Sequence, residues 1–193
     1  MQTVNAIVVV CHPNERSFCH AIAGEAARTL EAAGCEVMTH DLYVEAPDPV
    51  LSGAEIARRT PIDPQIQRYA AEIHDAATLV IVHPDWWGGP PALLKGWVDR
   101  VFRPGVAYDW DGAEFEEKSH SPLLAHVGLH VFVTSDRDDD EPIETVSNVW
   151  KEVSRYSGML LRTLRVFSRM RERGIRTRRA FLSEIEQLLG RSD

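Results

Sequence analysis

The sequence predicts an α/β fold, a parallel sheet covered by helices on both faces. Three observations lead there. Near-unbroken β-branched runs lack the alternation of half-exposed strands, segments between them carry apolar residues at helical spacing, and strand and helix alternate five times. At 193 residues the chain is long enough for one full core and short for two. No repeat or linker divides it, so the expectation is a single domain, 1–193.

In chain order, "VNAIVVVC" (4–11) is the first strand, buried on both faces. After the polar turn "HPNERS", Phe18, Ile22, Ala26, Leu30 and Ala33 repeat at helical spacing. Ser17 is placed to cap that helix and Gly34 to stop it. Residues 35–42 alternate as a second strand, and 43–63 is a polar connection with Pro47, Pro49 and Pro61. A helix near 64–76 precedes a third buried strand, "TLVIVH" (78–83). "PALLKGWVDRVF" resumes helical spacing, "HVGLHVFVTS" (126–135) is a fourth strand, and a helix near 142–157 follows. "MLLRTLRVF" (159–167) is the fifth strand and 177–190 a closing helix.

Composition excludes several classes. A net charge of −8 supplies no global field to attract phosphate backbones, so no nucleic-acid partner is expected. No apolar run approaches the roughly 20 residues needed to cross a bilayer, and the start lacks the pattern of a signal peptide. Direct membrane insertion is therefore not expected. Cys11, Cys19 and Cys35 show no paired spacing and read as reduced thiols of a cytoplasmic protein. The histidines lack zinc-ligand spacing. "SDRDDDE" lacks the spacing of a calcium loop and reads as a solvated acidic turn, so no metal is expected. "RMRERGIRTRR" (169–179) reads as a solvated connector, with an anionic docking patch as the alternative.

Open parallel sheets bind ligands beyond the carboxyl ends of their strands. The loops there are "HPNERS", "PDWWGGP" and "TSDRDDDEP". The first opens a helix whose free N–H groups favour an anion, with His12 and Ser17 as added donors. A capped helix without ligand is the plainer reading. No GxGxxG or GxxxxGK[ST] occurs. In the second, Trp86 and Trp87 beside Gly88 and Gly89 offer flat walls and exposed N–H groups that suit a planar heteroaromatic ligand. A plug for the core or an oligomer interface is the alternative.

The segment 83–102, continued through "RPGVAY" at 103–108, resembles the signature of the flavodoxin-like NAD(P)H:quinone oxidoreductases. Pro84, Trp86, Trp87, Pro91, Ala92, Leu94, Lys95, Gly96, Trp97, Asp99, Arg100, Val101 and Phe102 fall on it in register, and Gly105, Ala107 and Tyr108 complete it. His12, Ser17 and Phe18 match a second family loop in which Cys19 replaces the usual asparagine. The likeness runs from about residue 5 to 110 and fades after 135.

The resemblance implies a flavodoxin-like doubly wound sheet of five strands in the order 2-1-3-4-5. It also implies a flavin whose phosphate meets His12, Ser17, Phe18 and Cys19. The ring would rest on Pro84, Asp85, Trp86, Trp87 and Gly88, whose backbone donors hold its edge. Tyr108 would line the substrate pocket of a neighbouring subunit in a homodimer, and Trp110 and Phe115 agree with such pairing. The family's glycine pair after the fourth strand is replaced by Thr134, Ser135 and Asp136. The amides of Ser135 and Asp136 would have to serve there, with the Asp136 charge opposing a reduced, anionic flavin. The implied activity is two-electron transfer from NADH or NADPH through FMN, or alternatively FAD, to a quinone-like acceptor, an azo- or nitro-compound being indistinguishable. The competing expectation is an ancillary subunit of a cation-efflux system with weak or no catalysis.

Overall fold

The computed structural model describes residues 4–57, 62–111, 119–142 and 144–190. Five strands form one parallel sheet: β1 (Val4–Val10), β2 (Cys35–Asp41), β3 (Thr78–Pro84), β6 (Gly128–Thr134) and β7 (Leu160–Phe167), in the order β2-β1-β3-β6-β7. Setting aside a hairpin, this is the expected order. Between β3 and β6, β4 (Tyr108–Asp111) and β5 (Ser119–Pro122) form an antiparallel pair that the sequence reading missed. Its strands are four residues long and polar, so no apolar alternation marked them.

The pleat of β1 divides the core. Ala6, Val8 and Val10 face α1 (Phe18–Ala32) and α7 (Ile175–Leu189), where Ile22, Ala26, Leu30 and Ile185 are buried. Ile7 and Val9 face α4 (Pro64–Asp75), α5 (Ala92–Val101) and α6 (Glu144–Ser157), where Ile66, Trp97 and Trp150 are buried. Both faces of β1 and β3 are thereby dry, which is why those strands read as continuous apolar runs. Ser17 caps α1 by accepting the His20 N–H, and Gly34 leaves it with φ of 90°.

The connection after β2 is more ordered than expected. It holds two single-turn helices, α2 (Leu42–Glu45), capped by Asp41, and α3 (Gly53–Ile56), closed by a Ser52–Glu55 capping box. The connection is strapped across α5. A Cβ on Gly96 would come within 2.3 Å of the Pro49 carbonyl oxygen, so only glycine admits the strap. Arg100 donates to Asp48 O at 2.7 Å and to Glu55 at 2.8 Å, both ionic side chains being nearly inaccessible, and Arg103 donates to Glu55 O. Much of the signature "KGWVDRVFR" therefore packs and clamps.

Candidate functional site

At the carboxyl edge of the sheet, loops after β1, β3, β6 and β7 surround a cleft of about 430 Å³. It stands at the switch point, where the connection leaving β1 runs to one side toward β2 and that leaving β3 runs to the other toward β6. Of the residues singled out in the sequence, His12, Ser17, Phe18, Cys19, Pro84, Asp85, Trp86, Thr134, Ser135 and Asp136 line it. Trp87, Gly88 and Tyr108 do not.

One end is built for an anion. Helix α1 points its first turn at the cleft, and the N–H groups of Phe18 and Cys19 have no helical carbonyl to bond. His12 accepts the Asn14 N–H on Nδ1 at 3.0 Å, and burial lowers its pKa. It is thus neutral, with Nε2–H free to donate. Arg171 and Arg178 of the connector read as solvated, for which the sequence left an anionic docking patch as the alternative, also reach the cleft. Arg178 lies 5.5 Å over the Phe18 ring and donates to the carbonyls of Met170 and Arg173, with no carboxylate partner among the described residues. Cys19 contributes packing: its Sγ lies 3.3 Å from Thr134 Oγ1, and burial pushes the thiol up to about 11.

The other end is the Trp86–Gly89 turn. Trp86 and Gly89 exchange N–H···O bonds, while Trp87 (φ 58°) and Gly88 (φ 81°) both take left-handed conformations, a type I′ geometry. This separates the two indoles. Trp86 faces the cleft, 6.4 Å from the His12 ring, whereas Trp87 is fully exposed on the outside of the turn. The cleft therefore has one tryptophan wall, not two.

The turn's main-chain donors are also largely consumed, against expectation. Asp85 N–H donates to Thr134 O at 2.7 Å, Trp86 N–H to Gly89 O, Gly88 N–H to Asp85 Oδ1 at 2.8 Å, and Ser135 N–H to Phe167 O at 2.9 Å. The N–H groups of Trp87 and Asp136 have no acceptor among the described residues, and of the two only Asp136 lines the cleft. Asp85 acts as the knot: its nearly inaccessible carboxylate accepts Ser135 Oγ–H at 3.0 Å and Arg137 Nε–H at 2.8 Å. Behind it, Trp150 Nε1–H donates to His83 Nε2 at 3.0 Å and His83 Nδ1–H to Pro84 O at 2.8 Å, which fixes the first residue of the loop.

The acidic turn after β6 is not merely solvated. Asp136 bonds Arg171 at 2.9 Å, Asp138 lies 3.7 Å from Arg169, Asp139 pairs with Arg173, and Glu141 lies 3.4 Å from Arg137. The acidic run and the arginine run are thus zipped together, and the Asp136 charge expected to oppose a reduced flavin is balanced by Arg171. No group of three metal-ligating side chains occurs among the described residues.

Tyr108 lines a separate cavity of about 360 Å³, with Phe102, Val153 and Tyr156, whose ring lies 4.7 Å from its own. Trp110 beside it is partly exposed, and Phe115 lies outside the described residues.

An open five-stranded parallel sheet, with a helix start and an aromatic turn bordering a cleft at its switch point, defines an α/β protein of the doubly wound class. The chain belongs to the flavodoxin-like fold family, whose model matches residues 5–189, well past the point where likeness of individual residues fades. It is 37% identical over 114 residues to an uncharacterized NAD(P)H oxidoreductase of Haemophilus influenzae, covering 58% of this chain and 56% of that one. It is 29% identical over 136 residues to NAD(P)H dehydrogenase [quinone] 1 of Cavia porcellus, covering 58% and 50%. The chain thus spans about half the length of these curated relatives. An FMN-dependent NADH-azoreductase of Bacillus anthracis, solved with FMN, shares the fold with a TM-score of 0.74 at 13% identity, covering 97% of this chain and 98% of that one. The ancillary-subunit alternative gains nothing from these comparisons.

Proposed function

We propose that the cleft holds a flavin and that the protein is a flavin-dependent NAD(P)H oxidoreductase passing two electrons to a quinone-like acceptor. The observation that carries this reading is the pairing, in one cleft, of an anion-seeking end (α1 N-terminus, Ser17, Arg178) with an aromatic wall (Trp86). A flavin phosphate and ring need those two surfaces. Bound there, the flavin supplies the hydride chemistry; the chain's own residues bind, orient and balance charge. His12 Nε2–H, Ser17 and Arg178 would hold the phosphate, Trp86 the ring, and the free N–H of Asp136 its polar edge. Arg137 and Arg171 neutralise Asp85 and Asp136, so that charge gained by the ring on reduction meets no bare carboxylate.

FMN is preferred to FAD, supported by the FMN named for the Bacillus anthracis neighbour. NADH or NADPH serves as donor. The names of the relatives support a quinone-like acceptor. The single-domain reading is supported by a family match that spans nearly the whole chain. The three free cysteines support a reducing, cytoplasmic setting, and no helix among the described residues is long and apolar enough to cross a membrane. The Tyr108 cavity and the exposed Trp110 support a homodimer in which Tyr108 reaches a neighbouring subunit's cleft.

The test is a visible spectrum of the purified protein before and after anaerobic addition of NADH or NADPH. Flavin bands that bleach are expected, with colour restored by a quinone. A colourless protein that takes up neither FMN nor FAD would overturn the reading.

A further inference from the structure

Ser17, at the mouth of the cleft, begins a chain of side chains that the proposed function leaves unused. Its Oγ lies 2.9 Å from Nδ1 of His20, and His20 Nε2 lies 2.8 Å from Oδ2 of Asp41. The three-residue spacing puts Ser17 and His20 on one side of the first turn of α1. Pairing of β1 with β2 aligns Val10 with Asp41 and so brings that carboxylate to the loop. The other Asp41 oxygen accepts the Tyr43 N–H at 3.0 Å, which fixes the carboxylate facing His20. His20 and Asp41 are each about one-fifth exposed. Among the described residues, the titratable groups in contact with the His20 ring are Asp41 and His12, the latter edge-on at 6.4 Å.

The proton count of His20 sets the direction of every hydrogen in this chain. In the neutral ring the Asp41 carboxylate can only accept, so Nε2 carries the hydrogen and Nδ1 is a lone pair. Ser17 must then donate its hydroxyl hydrogen to Nδ1, and its remaining lone pair faces the cleft, the wrong polarity for a phosphate. In the imidazolium, Nδ1–H donates to Ser17 Oγ instead. The hydroxyl hydrogen is released toward the cleft, and a positive charge stands one hydroxyl away from the anion.

We propose that His20 is a positioning residue for the anion end of the cleft: binding of a phosphate monoester dianion draws a proton onto His20, relayed through Ser17, while Asp41 holds the ring. The inference rests on the flavin reading and adds a proton-linked specificity for the phosphorylated flavin over riboflavin.

The test is titration calorimetry of the full-length chain, stripped of flavin, with FMN and with riboflavin. It is run between pH 7 and 9 in two buffers of different ionisation enthalpy. FMN affinity is expected to fall about threefold over this range, the part of a one-unit linkage that remains above pH 7, with net proton uptake on binding. Riboflavin affinity should stay flat. In His20→Gln the FMN slope and the extra proton should both vanish, leaving affinity at the wild-type high-pH level. In Asp41→Asn the extra proton uptake with FMN should shrink, the imidazolium having lost the carboxylate that faces it. FMN binding to wild type with no more proton uptake than His20→Gln, or an equal slope for riboflavin, would overturn this inference alone. Failure of both flavins to bind would overturn the flavin reading and this inference with it.

Discussion

Trp87 is the residue whose identity most conflicts with its backbone. A left-handed conformation costs a bulky L-residue about 1–2 kcal/mol, and a fully exposed indole recovers little of that by packing. Trp87→Gly should therefore be more stable than Trp87→Ala by about 1 kcal/mol in urea unfolding. The cleft wall belongs to its neighbour. Trp86→Ala should weaken flavin binding about tenfold, the size of one lost aromatic stack, read by quenching of flavin fluorescence. Trp87→Ala should change it less than twofold; a reversed ranking would contradict the turn geometry. The adjacent tryptophans were legible as an aromatic platform, but not which of them faces inward. That depends on two successive positive φ values, which the sequence signals only through Gly88.

At the level of elements, the signature helix α5 carries the strap that crosses it. Gly96→Ala would drive a methyl group into the Pro49 backbone and should destabilise the fold by about 2 kcal/mol without entering the cleft. Arg100→Ala would strand the Glu55 carboxylate beneath the strap and should cost about 3 kcal/mol or more. Both are read as lowered urea midpoints, and neither should alter the ligand specificity of the cleft. The helices and central strands were legible because burial on one face writes an apolar period into each. The hairpin β4–β5 and the single-turn helices were not, since four residues hold too little periodicity and their order comes from caps and long-range partners. Likewise the acidic and arginine runs each looked solvated when taken alone. They are partners, about 35 residues apart in sequence, joined because β6 and β7 are neighbours in the sheet.

Across the whole molecule, one buried and one part-buried histidine contribute to the response to acid. Burial pushes His83 and His130 down to about 4, each below the ordinary 6.5. Above pH 6.5 folded and unfolded chains are both neutral at these positions, and their contribution to stability is intact. Between 6.5 and 4 the unfolded chain takes up protons that the folded chain refuses, so stability falls as pH drops, levelling out below about 4. The loss should reach roughly 3 kcal/mol for His83 and somewhat less for the more exposed His130. Urea midpoints measured from pH 8 to 4 check this, and substitution of His83 by Gln should flatten the upper part of the fall. By itself the sequence determined the parallel sheet, the helices on its two faces and the loops where a ligand meets it, because hydrophobic periodicity records which side of each segment is dry. Only the tertiary structure decided what those loops present. It carried Arg171 and Arg178 from the far end of the chain to the cleft, consumed most of the turn's amides internally, and turned one indole outward. Such arrangements depend on strand order and main-chain hydrogen bonding between distant segments, for which a local pattern carries no record.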